Sequence, residues 1–582
     1  MSESNVSLEV LVRRARLRTA QRDEAAEVVR PATEVELTPV QQGLWLNGKL
    51  RDTVQGQLIT WGARLVGPLD ARALAAALRE LTVRHPRLRS RLRSASTVPT
   101  LRVVDDEGDI RVVELADAPA DDESPAERLA AMDAAADRVL AKRCTIVDPE
   151  TGPMFVGTVI TAGPDLGYIG IAVHHLVFDG RSLGVFLAEL AERYRLRRGH
   201  GAADPAGLSP VEVLPLSASG PAVSAGDLDY WRADLAAAPA PLQPRQPGDA
   251  EAPPRHDFVL TQAVSQRIRD CAARHRATPF MVLMAALAVT VRREGGPRDV
   301  VLGALLDIRG PHEQQQVSYH LNTVPLRIRW RDDAGTTFAD LLERARTSSV
   351  EAMARRHTPL STIVSAVRDG GTRADALTQI TLDYLHQDDR TLTLDGLHCT
   401  VREQFGSSPE FGLGVMVLDA GDRFEVCLEP GPHFLGPDGV RRFAESLDAV
   451  LDAATLSPDA PLESVSARRD DALFVTAASP AAASTAGGAA DGDSERSAEL
   501  TEIVRAAYAR TLRLPELPGR DVDFFDLGGQ SLLAIRTALE IGRKSGMKVT
   551  IRDIFTTPTP AALGRHLAGR EAAATDSTGQ NR

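Results

Sequence analysis

The stretch VTAASPAAASTAGGAADGDSERS, residues 475–497, cannot join a packed core. After its first valine it carries only small and polar side chains, too little apolar surface to offset the entropy of ordering them. It reads as the body of a flexible linker over residues 468–497, and it divides the 582 residues into two folding units. The larger, at 34–467, is long enough for more than one compact lobe on a prior of about 100–200 residues per domain.

Within 34–467 two kinds of pattern alternate. GARLVGPL, LRVVD, FVGTVIT, GYIGIAV, DVVLGALLD, ALTQITLDYL, FGLGVMVLD and RFEVCLEP are rich in β-branched residues and bounded by Gly, Pro or Asp, as strands are. DARALAAALRELTVRH, GRSLGVFLAELAERYRLRR, SQRIRDCAARHR and FADLLERARTSSVEAMARRH repeat their apolar residues at helical spacing. A Pro-, Gly-, Ser- and Ala-rich segment, 201–225, separates lobes at about 34–205 and 226–467, both mixed α/β. Residues 1–33 form an extension with a charged helical pattern, a possible docking helix. Residues 498–570 resume helical periodicity in three segments, predicting a small all-α bundle. The polar tail 571–582 reads as disordered.

The formal net charge is -12, from 79 acidic and 67 basic residues, which gives no support for nucleic acid or an anionic membrane as partner. The most apolar stretch, Phe280 to Val291, is too short to span a bilayer, and the N-terminus lacks a signal core. The four cysteines are widely spaced, which argues against a metal site or disulfide framework and fits a reducing cytoplasm.

Two stretches carry chemistry. YIGIAVHHLVFDG, residues 168–180, ends a buried-looking strand in His174, His175 and Asp179, groups that are costly to bury without partners. DVDFFDLGGQSLLAIR, residues 521–536, sets a Gly-Gly turn before Ser531 at the start of a helix, where free N–H groups favour a phosphate and a serine can also serve as a plain N-cap.

The second stretch resembles the attachment site of peptidyl carrier proteins, which implies a covalent 4'-phosphopantetheine on Ser531. The first resembles the His-His-x-x-x-Asp-Gly motif of nonribosomal peptide synthetase condensation domains, relatives of chloramphenicol acetyltransferase. LTPVQQGLWL (37–46), RHPRLRSRL (84–92), SYHLNTVPLR (318–327) and RRHTPLSTIV (355–364) resemble further motifs of that family, in its order. Arg181 and His320 depart from its commoner residues. The implied fold is a two-lobed chloramphenicol acetyltransferase-like α/β unit followed by a helical carrier domain. The implied function is secondary-metabolite (antibiotic) assembly in the cytoplasm by an acyltransferase that joins a carrier-bound thioester to an amine.

The resemblance also implies roles. Amide formation needs an amine freed of its proton, and imidazole titrates in the right range. His175 matches the family's histidine, as base or as orienting group. His174 faces the lobe interior and holds the loop. Asp179 is expected to receive an ion pair, with Arg89 as candidate partner. Gly180 clears space for the acceptor and offers an N–H to a developing oxyanion. Asn322 and Thr323 are placed opposite the histidine, as substrate contacts or as strand-end hydrogen bonding. No metal is implied.

Too few residues separate the two units for an adenylating domain. The expected partners are therefore an upstream donor carrier, a trans-acting adenylating enzyme and a phosphopantetheinyl transferase, with neither nucleic acid nor membrane. The alternatives are an offloading acyltransferase that passes an acyl group from the attached carrier to a soluble amine or alcohol, and a non-catalytic recruitment platform.

Overall fold

The computed structural model describes residues 34–475 and 495–579, apart from 52–56, 95–98, 105–107, 116–123, 200–222, 250–254, 331–334, 369–375, 403–410, 525–526, 528–530, 551–552 and 555–556. The proposed docking helix in 1–33, most of the inter-lobe segment 201–225 and most of the linker lie outside the described residues.

The first lobe contains β1 (Glu34–Glu36), α1 (Pro39–Arg51), β2 (Leu58–Val66), α2 (Ala71–Arg84), β3 (Ser90–Arg93), β4 (Thr100–Val103), β5 (Asp109–Glu114), α3 (Pro125–Cys144), β6 (Phe155–Thr161), β7 (Leu166–His174) and α4 (Gly180–Arg197). Every residue of β7 is buried, which a nearly unbroken apolar run allows. Ile169, Ile171 and Val173 face one core with Trp61 and Phe186, while Leu166 and Tyr168 face α3. Gly170 permits that second contact, because a Cβ there would stand 2.4 Å from Leu140 Cδ2.

The second lobe continues with α5 (Ala225–Asp234), β8 (Gln243–Pro244), β9 (His256–Val259), α6 (Gln262–Arg274), α7 (Pro279–Arg293), β10 (Asp299–Asp307), β11 (Leu321–Arg329), α8 (Phe338–Ala354), α9 (Leu360–Arg368), β12 (Ile380–His386), β13 (His398–Arg402), β14 (Leu413–Asp419), β15 (Phe424–Pro430), α10 (Pro437–Leu456), α11 (Glu463–Ser466) and β16 (Phe474–Val475). Its six-stranded sheet runs β11-β10-β12-β14-β15-β9. Pro325 sits within β11, and it is tolerated because β11 is an edge strand. The core lies on one face of this sheet, where α6 to α10 bury Leu302, Leu382, Val415 and Val426.

Two boundaries differ from those expected. The first-lobe sheet runs β13-β2-β7-β6-β5, so β13, far along the chain in the second half, completes it by pairing with β2. Leu392 and Leu394, just before β13, are buried in the first-lobe core. Nor does the large unit stop at 467. Phe474 is fully buried in the second-lobe core and its strand pairs with β8, so ordered structure reaches Val475.

The small unit is built from α12 (Glu495–Leu512), α13 (Ser531–Ser545) and α14 (Pro560–Gly579). Leu500, Val504, Tyr508, Phe524, Ile541, Leu563 and Leu567 form its core, together with Leu46 of α1. The rings of Tyr508 and Phe524 meet at 4.7 Å. The tail expected to be disordered continues α14 as far as Gly579, with Glu571 paired to Arg496 at 2.7 Å. Among the described residues no helix is long and apolar enough to cross a membrane.

The position of Phe474 gives a direct test. Phe474→Ala should destabilise the protein by about 3–5 kcal/mol in urea unfolding, the usual cost of emptying a buried aromatic site. A cost near zero would return residues 468–475 to the linker.

Candidate active site

The histidine pair follows from how β7 ends. His174 is its last residue, 2% exposed, and its N–H donates to Met154 O at 2.8 Å. Its Nδ1 accepts from Leu176 N–H at 3.1 Å and so is unprotonated. Burial, with a smaller contribution from His175, pushes its pKa down to about 3. His174 is therefore a neutral structural group that shapes the turn behind it.

The chain then tightens into a 3-10 turn, His175–Val177, which lifts His175 out of the core. His175 Nδ1 lies 2.7 Å from Phe178 O. A carbonyl only accepts, so Nδ1 carries a proton, and in the neutral ring the lone pair is therefore on Nε2. The edge of Tyr319, from the β10–β11 connection of the other lobe, meets the imidazole at 5.2 Å and 85°. An imidazole with a fixed tautomer and a free Nε2 can take a proton from a nucleophile or orient it.

Asp179 is buried completely and caps α4, accepting from Ser182 N–H at 2.8 Å. Its ion-pair partner is Arg309, not Arg89. Arg309 Nη1 and Nη2 approach the two carboxylate oxygens at 2.8 and 2.9 Å, and His320 N–H donates to the same carboxylate at 2.9 Å. Burial raises the proton affinity of Asp179, but the charge and hydrogen bonds of Arg309 outweigh it and hold the carboxyl below its ordinary value. Arg89 ends the 3-10 turn before β3 and donates instead to Val104 O at 2.8 Å. Its local task at the β3–β4 hairpin leaves it no part in the ion pair. Arg309, at the end of β10, belongs to none of the motifs, and only the folded chain brings it across.

Of the two expectations for Asn322, its contacts follow the second, hydrogen bonding at a strand end. Its Nδ2 donates to Arg356 O and Thr358 O at 2.8 and 2.7 Å, and its Oδ1 accepts from Leu360 N–H at 3.2 Å. The amide fastens β11 to the start of α9 and is engaged on the helical side of the sheet. Thr323, the next residue, projects to the other face beside Gly303. Gly180 opens α4 where the lobes meet, since a Cβ there would lie 3.5 Å from Leu385 Cδ2 of β12.

Gln41, from the first motif, is fully buried on α1 and donates to Leu176 O at 2.9 Å, tying α1 to the histidine turn. Ser182 and Ser318 complete the Asp179 network, with Ser182 Oγ 2.8 Å from Ser318 O. Neither serine stands out in the sequence.

In the small unit Ser531 is the first residue of α13, whose first turn holds no acidic side chain. A phosphodiester fits there, because no carboxylate on the first turn of α13 opposes its charge. When bound, a phosphopantetheine on Ser531 supplies a thiol that carries an acyl group as thioester.

Residues 31–472 match the family described as Condensation domain, and residues 502–567 match Phosphopantetheine attachment site. Among curated relatives, malpibaldin synthetase of Mortierella alpina is 27% identical over 455 residues, 74% of this chain and 8% of the relative. The phosphinothricin tripeptide synthetase PhsC of Streptomyces viridochromogenes is 28% identical over 354 residues, 57% of this chain and 31% of the relative. The chain thus spans less than a third of the length of either. The first condensation domain of the CDA synthetase superposes with a TM-score of 0.61 at 21% identity, covering 75% of this chain and 99% of that one. The X-domain from teicoplanin biosynthesis gives 0.61 at 20%, covering 75% and 98%.

The exchange of Arg89 for Arg309 has a measurable consequence. Asp179→Ala takes from the buried guanidinium its bidentate partner, leaving it only the more exposed Asp307 at 3.2 Å, and should cost about 3–5 kcal/mol. Arg89→Ala removes one carbonyl contact and should cost about 0.5–1.5 kcal/mol in the same urea titration. A depressed carboxylate contributes stability that is complete above the unfolded aspartate pKa and lost as pH falls through the folded value. Below about pH 4 the wild type should therefore lose more stability than Asp179→Asn.

Proposed function

Because the chain belongs to the condensation-domain family and carries a phosphopantetheine attachment domain behind it, we propose that it forms an amide between a carrier-bound acyl thioester and an amine held on Ser531. The observation that carries this reading is the orientation of the His175 ring, whose Nδ1 is held at 2.7 Å by Phe178 O, so that Nε2 is the nitrogen turned away from that bond. As the amine nitrogen bonds to the thioester carbonyl carbon, Nε2 receives a proton from nitrogen. The C–S bond breaks, and Nε2 returns that proton to the departing sulfur. Asp179, Arg309 and His174 hold the turn, and Gly180 N–H at the start of α4 is available to the carbonyl oxygen as it gains charge.

The attached carrier is read as the acceptor side. Leu46 of α1 shares an apolar cluster with the carrier core, and α1 is fastened to the histidine turn through Gln41. An upstream carrier then delivers the donor, and a phosphopantetheinyl transferase arms Ser531. Residues 476–494, between β16 and α12, are too few for an adenylating domain, so the acceptor is loaded in trans. The four cysteines are free thiols, which accords with a cytoplasmic setting.

Incubation with coenzyme A and a phosphopantetheinyl transferase should add one phosphopantetheine mass, and Ser531→Ala should abolish the gain. His175→Ala should retain folding and loading yet slow amide formation by about 10²–10⁴, the usual contribution of a general base. Near-normal turnover in that variant would count against His175 and leave positioning by the two lobes to carry the catalysis. The protein alone should show no amino-acid-dependent ATP–pyrophosphate exchange, and product should require both a donor carrier and an adenylating enzyme. Product from a soluble amine, with no acceptor loaded on Ser531, would move the reading to offloading from the attached carrier.

A further inference from the structure

The second lobe presents an acid toward the histidine that the mechanism above does not use. On β12, Leu382 is buried in the second-lobe core and the Tyr384 hydroxyl donates to Asp419 Oδ2 at 2.6 Å. Strand alternation therefore turns Asp383 and Leu385 to the opposite face. Leu385 meets the start of α4, with its Cδ2 3.5 Å from a Cβ placed on Gly180. Asp383 stands one repeat back on that face, half-buried, within electrostatic reach of His175 and Asp179. Its carboxylate is held by the N–H of Tyr384 and acted on through space by Arg390. Glu429 of β15 adds a further negative charge, and the cross-strand neighbour on β14 is the apolar Met416. Burial, against the pull of Arg390, raises the Asp383 pKa to about 6. A negative group within electrostatic reach of the histidine at the lobe junction, its charge offset only in part by Arg390, is costly unless a further cation joins it.

We propose that Asp383 receives the acceptor amine as its ammonium ion and takes the first of the two protons its nitrogen must lose, making it a determinant of amine over alcohol acceptors. This rests on the amide-forming reading. At neutral pH the acceptor arrives as R–NH3+. One proton passes from nitrogen to the Asp383 carboxylate, leaving R–NH2 and a neutral carboxyl. The nitrogen lone pair then bonds to the thioester carbon as the C–S bond breaks. The second proton goes from nitrogen to His175 Nε2 and on to sulfur, and Asp383 returns its proton to water. The balance is one amide, one thiol and one released proton, and two acceptor sites are what that sequence of transfers needs.

The test is single-turnover amide formation with a preloaded donor carrier and an aminoacyl group on Ser531, measured against pH. Asp383→Asn preserves shape but can neither hold the ammonium nor take its proton. Its rate should fall tenfold or more near pH 6.5, and the deficit should shrink toward pH 9, where the amine, with a free pKa of about 8, has already lost its proton. The charged groups about Asp383, namely His175, Asp179, Arg390 and Glu429, are common to both proteins, so the difference between the profiles isolates Asp383. A wild-type profile in Asp383→Asn would overturn the proposal. His175→Ala separates the two readings, since loss of rate there with no change in Asp383→Asn rejects Asp383 alone, and no loss in either rejects amide catalysis by this site. Should Asp383→Asn fail to fold, the wild type is assayed with an α-hydroxyacyl acceptor. Its rate should then be lower and lack the limb near pH 6, and persistence of that limb would equally overturn the proposal.

Discussion

The Asp179 carboxylate is the point at which the two lobes are made into one structure. It caps the start of α4, accepts from both Nη groups of Arg309, and takes the N–H of His320 from the β10–β11 connection. A buried ion pair contributes little net stability, because desolvation offsets most of the attraction. What it does contribute is register. The connection it grips carries Val317 into the first-lobe core and sets Tyr319 against the ring of His175. The imidazole thus has one neighbour from its own turn and one from the opposite lobe, both set by the same carboxylate.

A second fastening runs behind the site and is made of neutral groups. Asn322 holds the start of α9, α9 packs on α1, and Gln41 of α1 holds the carbonyl of Leu176. The same helix presents Leu46 to the carrier core. The residue that touches the carrier core and the residue that holds the histidine turn are therefore little more than one helical turn apart on the same helix, with no loop between them.

Whatever depended on local pattern was legible in the sequence. β7 was visible as an apolar run, the start of α13 at Ser531 as a Gly-Gly turn before helical spacing, and the strands DVVLGALLD and RFEVCLEP as β-branched runs between breakers. What depended on pairing across the chain was not. Nothing near His398 announces that its strand will join β2, and Arg309 has no motif around it. Arg89 lies in a motif, yet its carbonyl partner at Val104 is set only by the fold. Asp383 left a faint sign, an aspartate in the otherwise apolar ITLDYL, which periodicity alone assigns to a face without saying what that face meets.

The pairing of β13 with β2 also bears on how the protein is made. Val66 ends β2 and Arg402 ends its partner strand, 336 residues later. At about 5–20 residues per second, a ribosome needs roughly 20–70 s to cover that interval. Throughout it, one edge of a strand containing Trp61 has no partner, and unpaired edges are where chains join the wrong neighbour. The first lobe can assemble most of its core early, yet its sheet closes only when the second half has been synthesised. Its safe passage to the native state is then a matter of timing and chaperoning during translation, and a pause placed before residue 392 would lengthen the exposure.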